Sequence, residues 1–336
     1  MDLRIVIEDK VPFAHGLLES VGAQVKYLPA GAIDSDVMRD ADALITRTRT
    51  RCDARLLAGS RCSMIASATI GLDHVDIPWC ECHGVEVANA PGCNAPAVAQ
   101  YVLCSLALLG REPRSTTLGI VGVGHVGSIV ERWARSLGYR VMLCDPPRAR
   151  REGSDGFSSL AELAREADVI TFHTPLTRSG DDATYHLADQ NFFASLLRKP
   201  VIVNSARGSV VDTAALIDAL RSGLVSHAVV DCWEGEPAIS RELLALASIA
   251  TPHIAGYSRQ GKTRATAMAV AAVCRHFGLP LPAQTPPLDP VADTVTPEVL
   301  TASYDPMADT RRLKENPQSF ENFRNNYDLR SEPCIQ

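Results

Sequence analysis

The stretch Leu118-Gly-Ile-Val-Gly-Val-Gly-His-Val-Gly127 decides the fold. Its apolar start predicts a buried strand, and its glycines follow the Gly-x-Gly-x-x-Gly spacing of a dinucleotide-binding loop. Residues 128–137 carry apolar side chains at helical spacing, and residues 140–144 predict a second strand that ends at Asp145, about 20 residues past the loop. This order of strand, loop, helix, strand and acid predicts a Rossmann domain that binds NAD.

Each residue of the loop has an expected role. Gly122 makes the tight turn, Gly124 lets the backbone approach the pyrophosphate, and Gly127 lets the helix pack closely on the strand. We place Val126 with them in the cofactor-binding set. The N-terminus of the following helix then faces the negative charge of the pyrophosphate.

The residues after the second strand bear on the choice between NAD and NADP. Asp145 can accept hydrogen bonds from both ribose hydroxyls and repel a 2′-phosphate, which favours NAD. Arg148, Arg150 and Arg151 follow closely and count against that preference, because a guanidinium can bind a phosphate. We expect NAD as the cofactor.

Three charged side chains downstream each follow a short apolar run: Arg207, Glu236 and His253. Each can therefore lie at the carboxyl end of a strand, where doubly wound sheets place their ligands. A core histidine, a solvated glutamate or a surface arginine would each be ordinary alone. Their occurrence at three successive strand ends of a dinucleotide-binding domain favours a catalytic set.

The three residue types suit hydride transfer from a 2-hydroxyacid. An imidazole at His253 can take the hydroxyl proton as the hydride leaves the same carbon, since imidazoles titrate near physiological pH. A carboxylate at Glu236 can fix the imidazole tautomer and favour the imidazolium. The guanidinium of Arg207 can bind the substrate carboxylate through two parallel hydrogen bonds, which a lysine cannot do.

Alternating strands and helices predict an α/β fold with two doubly wound parallel-sheet domains. Strands are expected over residues 3–7, 24–28, 43–46 and 64–67, and helices over residues 95–109 and 262–277. We assign residues 1–92, completed by 258–279, to a flavodoxin-like substrate-binding (lid) domain, and residues 93–257 to the Rossmann NAD-binding domain. Prolines recur from residue 280 to residue 317, so residues 280–336 are expected to form a linker and a small, irregular C-terminal appendage.

The sequence Thr46-Arg-Thr-Arg-Thr-Arg51 alternates at an expected strand end. An extended backbone would present its arginines on one face and its threonines on the other. Such a patch, with Arg47 as its first arginine, suits a phosphate or a carboxylate. A solvated basic edge is the alternative.

Composition limits the partners of this 336-residue chain. A net charge of −6 offers no global attraction for nucleic acid. The longest mostly apolar run, residues 101–109, falls short of the ~20 residues that cross a bilayer, and the chain does not open on a signal-peptide pattern. Its ten cysteines are scattered, and Cys80-Glu-Cys-His83 fits no common zinc spacing. We expect a cytoplasmic protein with reduced thiols, no metal, and no membrane or nucleic-acid partner.

Further motifs carry a narrower resemblance. They are Ala68-Thr-Ile-Gly-Leu-Asp-His-Val-Asp76, Asn89-Ala-Pro-Gly-Cys-Asn-Ala95, Leu143-Cys-Asp-Pro-Pro-Arg148, Thr171-Phe-His-Thr-Pro-Leu176 and Trp233-Glu-Gly-Glu-Pro237. With them, the chain resembles the erythronate-4-phosphate dehydrogenase family of D-isomer-specific 2-hydroxyacid dehydrogenases. The resemblance implies NAD-dependent oxidation of 4-phospho-D-erythronate to 2-oxo-3-hydroxy-4-phosphobutanoate, in pyridoxal 5′-phosphate biosynthesis.

The resemblance also implies residue roles and an assembly. The implied substrate contacts are Thr48, Thr69 and Tyr257, the implied NAD contacts are Asp145, Thr174, Asp231 and Gly256, and Arg207, Glu236 and His253 are the implied catalytic residues. Family members carry a C-terminal dimerisation domain, and residues 304–330 resemble its middle, although the segment before them looks shortened. The apolar helix over residues 95–109 is too hydrophobic to lie wholly in solvent, and related dehydrogenases pair through the cofactor domain around it. We therefore expect a two-fold homodimer.

Two alternative functions stay open. Another D-2-hydroxyacid dehydrogenase, such as a phosphoglycerate dehydrogenase, would need the same catalytic set. An NAD-sensing binding protein would keep the cofactor site without turnover, as do the corepressors that share this fold.

Overall fold

A computed structural model describes residues 2–286 and 291–333 of the chain. The strands are β1 Arg4–Glu8, β2 Gln24–Leu28, β3 Ala43–Thr46, β4 Met64–Ser67, β5 Glu86–Ala88, β6 Thr117–Val121, β7 Arg140–Cys144, β8 Val169–Phe172, β9 Val201–Asn204, β10 His227–Val230 and β11 Ile249–Ala250. The helices are α1 Ser35–Met38, α2 Ala54–Leu57, α3 Ile77–Cys82, α4 Ala95–Leu108, α5 His125–Leu137, α6 Pro146–Glu152, α7 Leu160–Glu166, α8 Gln190–Ala194, α9 Thr213–Arg221, α10 Arg241–Leu246, α11 Arg259–Phe277, α12 Pro297–Ser303, α13 Pro306–Glu315 and α14 Phe320–Asn325.

The chain divides into two units, Met1–Asn94 with Arg259–Pro290 and Ala95–Ser258 with Val291–Gln336. The division falls after residues 94 and 258, beside the expected boundaries after residues 92 and 257. The expected appendage, residues 280–336, is shared between the two units. Its residues 287–290 and 334–336 lie outside the described part of the chain.

The first unit contains a parallel sheet in the order β2-β1-β3-β4-β5. This is the flavodoxin-like order, so the predicted fold class is confirmed. β3 and β4 are buried along their whole length, because helices cover both faces of a doubly wound sheet. Residues of α11, among them Ala269 and Val270, pack into the same apolar core as β1 and β4.

The second unit contains a parallel sheet in the order β11-β10-β9-β8-β6-β7. A parallel bridge between Leu143 and Phe157 adds one position outside β7. If the positions are numbered along the chain from β6, those at the edge beyond β7 lie in the order 3-2-1-4, as in a Rossmann domain. The predicted NAD-binding fold is therefore confirmed.

The C-terminal segment, residues 291–333, contains α12, α13 and α14, so the expectation of an irregular appendage was wrong for these helices. Pro297 and Pro306 begin α12 and α13, and the side chains of Thr296 and Asp305 cap these two helices. A proline at the first helical position has the right φ and removes an N–H that would lack an intrahelical partner. These prolines therefore start helices where the sequence analysis expected them to interrupt structure.

This segment covers the apolar helix α4. Twelve of the fourteen residues of α4 are buried, and the helix bonds to the segment: Gln100 Nε2 donates to Ser303 Oγ at 2.9 Å, and the Cys104 thiol donates to the Leu300 carbonyl at 3.2 Å. The argument that α4 needs a second chain to leave solvent was therefore wrong, because its own chain buries it. The homodimer stays a prediction.

Candidate active site

The three predicted catalytic side chains lie beyond neighbouring strand ends of the second unit. Arg207, Glu236 and His253 follow β9, β10 and β11, in that order. These strands are adjacent and parallel, so their carboxyl ends meet at one edge of the sheet. Ligands of doubly wound sheets bind at that edge.

His253 and Glu236 form a close imidazole–carboxylate pair. His253 Nδ1 lies 2.8 Å from Glu236 Oε2 and 3.0 Å from Oε1, and the Trp233 N–H donates to Oε1 at 2.8 Å. Burial raises the pKa of the Glu236 carboxyl, but hydrogen bonds from His253 and Trp233 and the charge of Arg324 outweigh it, so this pKa lies below its ordinary value. Glu236 is therefore ionised at neutral pH and orients the ring.

The second ring nitrogen of His253 remains available. Nε2 has no hydrogen-bond partner among residues 2–286 and 291–333, and the side chain is 27% exposed. With Nδ1 held by the carboxylate, the ring can exchange a proton at Nε2.

Asp231 fixes the turn that carries His253. Its buried carboxylate accepts hydrogen bonds from the N–H groups of Ile254 at 2.8 Å and Ala255 at 3.0 Å, and from the Thr251 hydroxyl at 2.7 Å. These bonds hold His253 at a φ of 56°, in the left-handed region that costs a non-glycine residue on the order of 1–3 kcal/mol. Burial raises the pKa of Asp231. Its contact with NAD stays a prediction.

Arg207 lies in a loop that Asn204 shapes. The Asn204 amide donates to the Arg207 carbonyl at 3.0 Å, and its oxygen accepts the Ala206 N–H at 3.2 Å. Burial, together with the negative charges of Asp231 and Glu236, raises the pKa of the buried Cys232 thiol, while the guanidinium groups of Arg207 and Arg324 lower it. Arg207 and Glu236 therefore both lie close enough to Cys232 to change its pKa, and their effects are opposite.

The dinucleotide loop has the close packing that its glycines predict. Gly122 has a φ of 87°, and a Cβ there would lie 2.9 Å from the Thr174 N atom. A Cβ on Gly127 would lie 2.1 Å from the Gly122 carbonyl oxygen, so helix α5 can approach β6 only without a side chain there. Gly124 has open space at the same position, and Val126 packs beside the core. The hydroxyl of Thr174 is buried without a partner among the described residues, and its contact with NAD stays a prediction.

Asp145 and the arginines after it are held in place. The carboxylate of Asp145 accepts the N–H groups of Val123 at 2.8 Å and Arg148 at 2.9 Å, so it lies beside the glycine loop. Arg148 pairs with Glu152 at 2.8 Å. Arg150 and Arg151 pair with Asp182 and Glu152, respectively. These guanidinium groups therefore already have carboxylate partners, and the preference for NAD over NADP stays a prediction.

In the first unit, the basic segment after β3 turns back instead of continuing as a strand. The strand ends at Thr46, and residues 48–50 bend. Buried Glu8 causes this, because its carboxylate accepts the Thr46 hydroxyl at 2.5 Å and the N–H groups of Arg47 and Thr50 at 3.0 Å each. The expectation of an extended backbone with arginines on one face was therefore wrong.

The predicted substrate residues of the first unit lie on and beside this loop. Thr48 and Arg49 are exposed, whereas Arg47 is half-buried and its Nη1 donates to the Lys10 carbonyl at 3.1 Å. Thr69 Oγ1 lies 3.4 Å from the Arg47 carbonyl oxygen, to which it donates. The sequence analysis missed Glu8, although a charged residue that ends an apolar strand was a signal.

Tyr257 and Gly256 follow His253 in the same turn, and both are half-buried. The Tyr257 hydroxyl accepts a hydrogen bond from Arg324 Nε at 3.3 Å. Arg324 Nη1 also lies 3.7 Å from Glu236 Oε2. The sequence analysis missed Arg324, because it lies in the C-terminal segment, far from the motifs.

Two wider observations frame the site. Among residues 2–286 and 291–333, no group of three or more His, Cys, Asp or Glu side chains could hold a metal ion. In the same residues, no helix has the length and apolar character needed to cross a membrane.

Comparisons with known proteins agree with this geometry. Residues 101–255 match the family model of the D-isomer specific 2-hydroxyacid dehydrogenase NAD binding domain. The erythronate-4-phosphate dehydrogenase of Bacteroides thetaiotaomicron is 47% identical over 340 aligned positions, covering 98% of this chain and 97% of that protein. The chain belongs to the erythronate-4-phosphate dehydrogenase family. It is an NAD-dependent 2-hydroxyacid dehydrogenase.

Relatives within and beyond this family extend the comparison. The erythronate-4-phosphate dehydrogenase of Porphyromonas gingivalis is 42% identical, over 97% of this chain and 92% of that protein. The NAD-bound 3-phosphoglycerate dehydrogenase of Entamoeba histolytica superimposes with a TM-score of 0.68 at 25% identity, covering 83% of this chain and 96% of that one. The alignments to the erythronate-4-phosphate dehydrogenases run through the C-terminal segment, so that segment is part of the resemblance.

Proposed function

We propose that this chain oxidises 4-phospho-D-erythronate to 2-oxo-3-hydroxy-4-phosphobutanoate with NAD, and so serves pyridoxal 5′-phosphate biosynthesis. The observation that carries the proposal is the His253–Glu236 pair, 2.8 Å apart with Nε2 available, beyond a strand end of an NAD-binding domain. The names of the relatives supply the substrate.

Each catalytic residue has one role in the proposed reaction. When bound, NAD would accept the hydride that leaves C2 of the substrate. His253 Nε2 takes the proton of the C2 hydroxyl, so the C2–H and O–H bonds break and a C2 carbonyl forms. Glu236 holds the ring and stabilises the imidazolium that results. Arg207 binds the substrate carboxylate and polarises the forming carbonyl.

The cofactor contacts are proposed from the dinucleotide loop and its neighbours. The buried Thr174 hydroxyl and the backbone at Gly122, Gly124, Val126 and Gly127 fit the pyrophosphate and its surroundings, and Asp145 fits the ribose. Asp231 and Gly256 are proposed to lie near the nicotinamide end. These assignments agree with the arginine–glutamate pairing that favours NAD.

The substrate phosphate is assigned to the loop that Glu8 holds. Arg47, Thr48 and Thr69 are the proposed contacts on and beside this loop. Tyr257 is a proposed substrate contact that is not assigned to the phosphate. Exposed Thr48 and half-buried Arg47 can donate to phosphate oxygens.

A substrate panel tests the proposal. NADH formation would be measured with 4-phospho-D-erythronate, D-erythronate, 3-phospho-D-glycerate and D-lactate at equal concentrations. We expect the largest kcat/KM for 4-phospho-D-erythronate. A larger value for 3-phospho-D-glycerate would assign the chain to phosphoglycerate oxidation. NAD binding without turnover of any acid would identify an NAD sensor.

We also propose a homodimer in the cytoplasm. The resemblance to a family with a C-terminal dimerisation domain supports the dimer, and the nine described cysteines, all without disulfide bonds, fit a reducing compartment. Light scattering of the whole chain should give the mass of two chains. A monomeric mass at micromolar concentration would refute the dimer.

A further inference from the structure

The C-terminal helix α14 brings Arg324 to the catalytic pair. Its guanidinium contacts two residues of the site, because Nη1 lies 3.7 Å from Glu236 Oε2 and Nε lies 3.3 Å from the Tyr257 hydroxyl. The Arg324 side chain is 17% exposed, and that of Glu236 is 18% exposed. One partly buried cation therefore shares the carboxylate that orients His253.

The segment that carries Arg324 is firmly held on the same turn. The buried guanidinium of Arg330 donates to the carbonyls of Ile254 and Tyr257, at 3.0 Å each. The Ser258 hydroxyl donates to Glu332 at 2.6 Å. The C-terminal segment is thus bonded to Ile254, Tyr257 and Ser258, which follow His253.

The charged and titratable groups around the pair lie in the loops after β9, β10 and β11 and on α14. They are Arg207, Asp231, Cys232, Glu236, Tyr257, Glu321 and Arg324. Glu236 bonds the imidazole through both oxygens, and Arg324 Nη1 lies 3.7 Å from Oε2. A cation in that position restrains the carboxylate that orients the ring.

We propose that Arg324 is a positioning residue that holds the Glu236 carboxylate against His253. The C-terminal segment is then a part of the active site within one chain. This inference rests on the proposed role of His253 as the proton acceptor. It adds Arg324 to the residues on which the rate depends.

Substitution of Arg324 tests the inference, with an exposed arginine of the same segment as control. Arg324→Met removes the charge, Arg324→Lys keeps it, and Arg311→Met removes an exposed charge whose described partner is Asp305 at 3.9 Å. We expect Arg324→Met to lower kcat about tenfold with little change in the Kd of NAD, and Arg311→Met to leave both unchanged. Arg324→Lys should recover part of the lost rate.

A second readout is independent of turnover. The Nδ1–H proton of His253, which bonds to Glu236, would be observed by NMR in each variant, with the signal assigned through a His253→Gln protein. We expect this proton to exchange faster with water in Arg324→Met, because the carboxylate is no longer restrained, and to exchange as in the unmodified protein in Arg324→Lys. This result would hold even if 4-phospho-D-erythronate proved not to be the substrate.

Two results would overturn the inference. One is an unchanged exchange rate of the His253 Nδ1–H proton in Arg324→Met. The other is a rate loss that follows weaker NAD binding and a lower Tm to the same extent in Arg324→Met and Arg324→Lys, which would make Arg324 structural only. Failure of the whole substrate panel together with faster Nδ1–H exchange in Arg324→Met would reject the proposed substrate and leave Arg324's positioning role intact.

Discussion

The second unit contains two imidazole–carboxylate pairs of nearly the same geometry. His253 Nδ1 lies 2.8 Å from Glu236, and His186 Nε2 lies 2.8 Å from Glu234. Both imidazole side chains are 27% exposed, and both histidines have a positive φ, 56° and 50°. Neither distance, exposure nor backbone conformation distinguishes the two pairs.

The other ring nitrogen distinguishes them. His186 Nδ1 lies 3.4 Å from the Asp212 carboxylate, so both of its nitrogens face carboxylates. Glu234 also accepts the Thr213 N–H at 3.0 Å, which joins the pair to the start of α9. His253 has one carboxylate and one available nitrogen. A paired histidine can therefore transfer a proton to a ligand only where its second nitrogen is left free, and the His186 pair serves to join loops.

Replacing the two histidines gives the largest expected difference. His253→Ala should lower kcat by roughly 10²–10⁴, the usual contribution of a general acid or base, with near-normal NAD binding. His186→Ala removes a ring with the same exposure and the same backbone conformation, so it is the matched control. It should lower Tm while kcat stays within about threefold, since no reacting proton passes through it. A near-normal kcat for His253→Ala would refute the assignment.

The two carboxylates should differ in the pH dependence of the rate. Glu236→Gln removes the anion that favours the imidazolium, so the acid-side fall in the oxidation rate should move to lower pH. Glu234→Gln should leave that profile in place. Since hydrogen bonds overcome burial and lower the pKa of both glutamates, each contributes stability that is present above its unfolded pKa and is lost as the pH falls through its folded pKa. An unchanged rate profile for Glu236→Gln would make Glu236 structural.

Asp145→Ala separates cofactor binding from the chemistry of the pair. It removes the proposed ribose acceptor, so the Kd of NAD should rise by about tenfold, as for loss of a hydrogen bond to a charged group. The preference for NAD over NADP should weaken, because a charge that repels the 2′-phosphate is lost. Titration of both cofactors against both proteins measures this. If the unmodified protein already prefers NADP, Arg148 or a neighbour binds the 2′-phosphate.

Arg47→Ala and Arg49→Ala should have the smallest effects, and only on the substrate side. With 4-phospho-D-erythronate as substrate, each should raise KM several-fold, since an exposed charge contact is worth about 1 kcal/mol. With a non-phosphorylated 2-hydroxyacid, KM should change little. Equal effects on both acids would mean that these arginines support the loop or bind the carboxylate end.

The elements with a strong local pattern were predicted well from the sequence. β2, β3, β4 and β7 have the predicted bounds, and β1 is shifted by one residue. The apolar runs of a parallel sheet are continuous, so they stand out against the polar turns. β5 was missed, because it has three residues and begins with an exposed glutamate.

The contacts that complete the site could not be read from local patterns. Glu8 organises residues 46–50 from 38 to 42 positions away, and Arg324 reaches Tyr257 across 67 positions. The prolines that begin α12 and α13 were misread, since a proline has opposite meanings at the first position and in the middle of a helix. The residue types of the catalytic set were evident from sequence, whereas the residues that hold them in place required the fold.

The path of the hydrogen itself tests hydride transfer at this site most directly. 4-Phospho-D-erythronate with deuterium at C2 would be incubated with NAD and the purified protein, and the NADH formed would be examined by mass spectrometry. We predict that the unmodified protein and His186→Ala place the deuterium on the nicotinamide ring, and that His253→Ala forms little NADH. Deuterium released to water, or rapid labelling by His253→Ala, would contradict direct hydride transfer coupled to proton removal by His253.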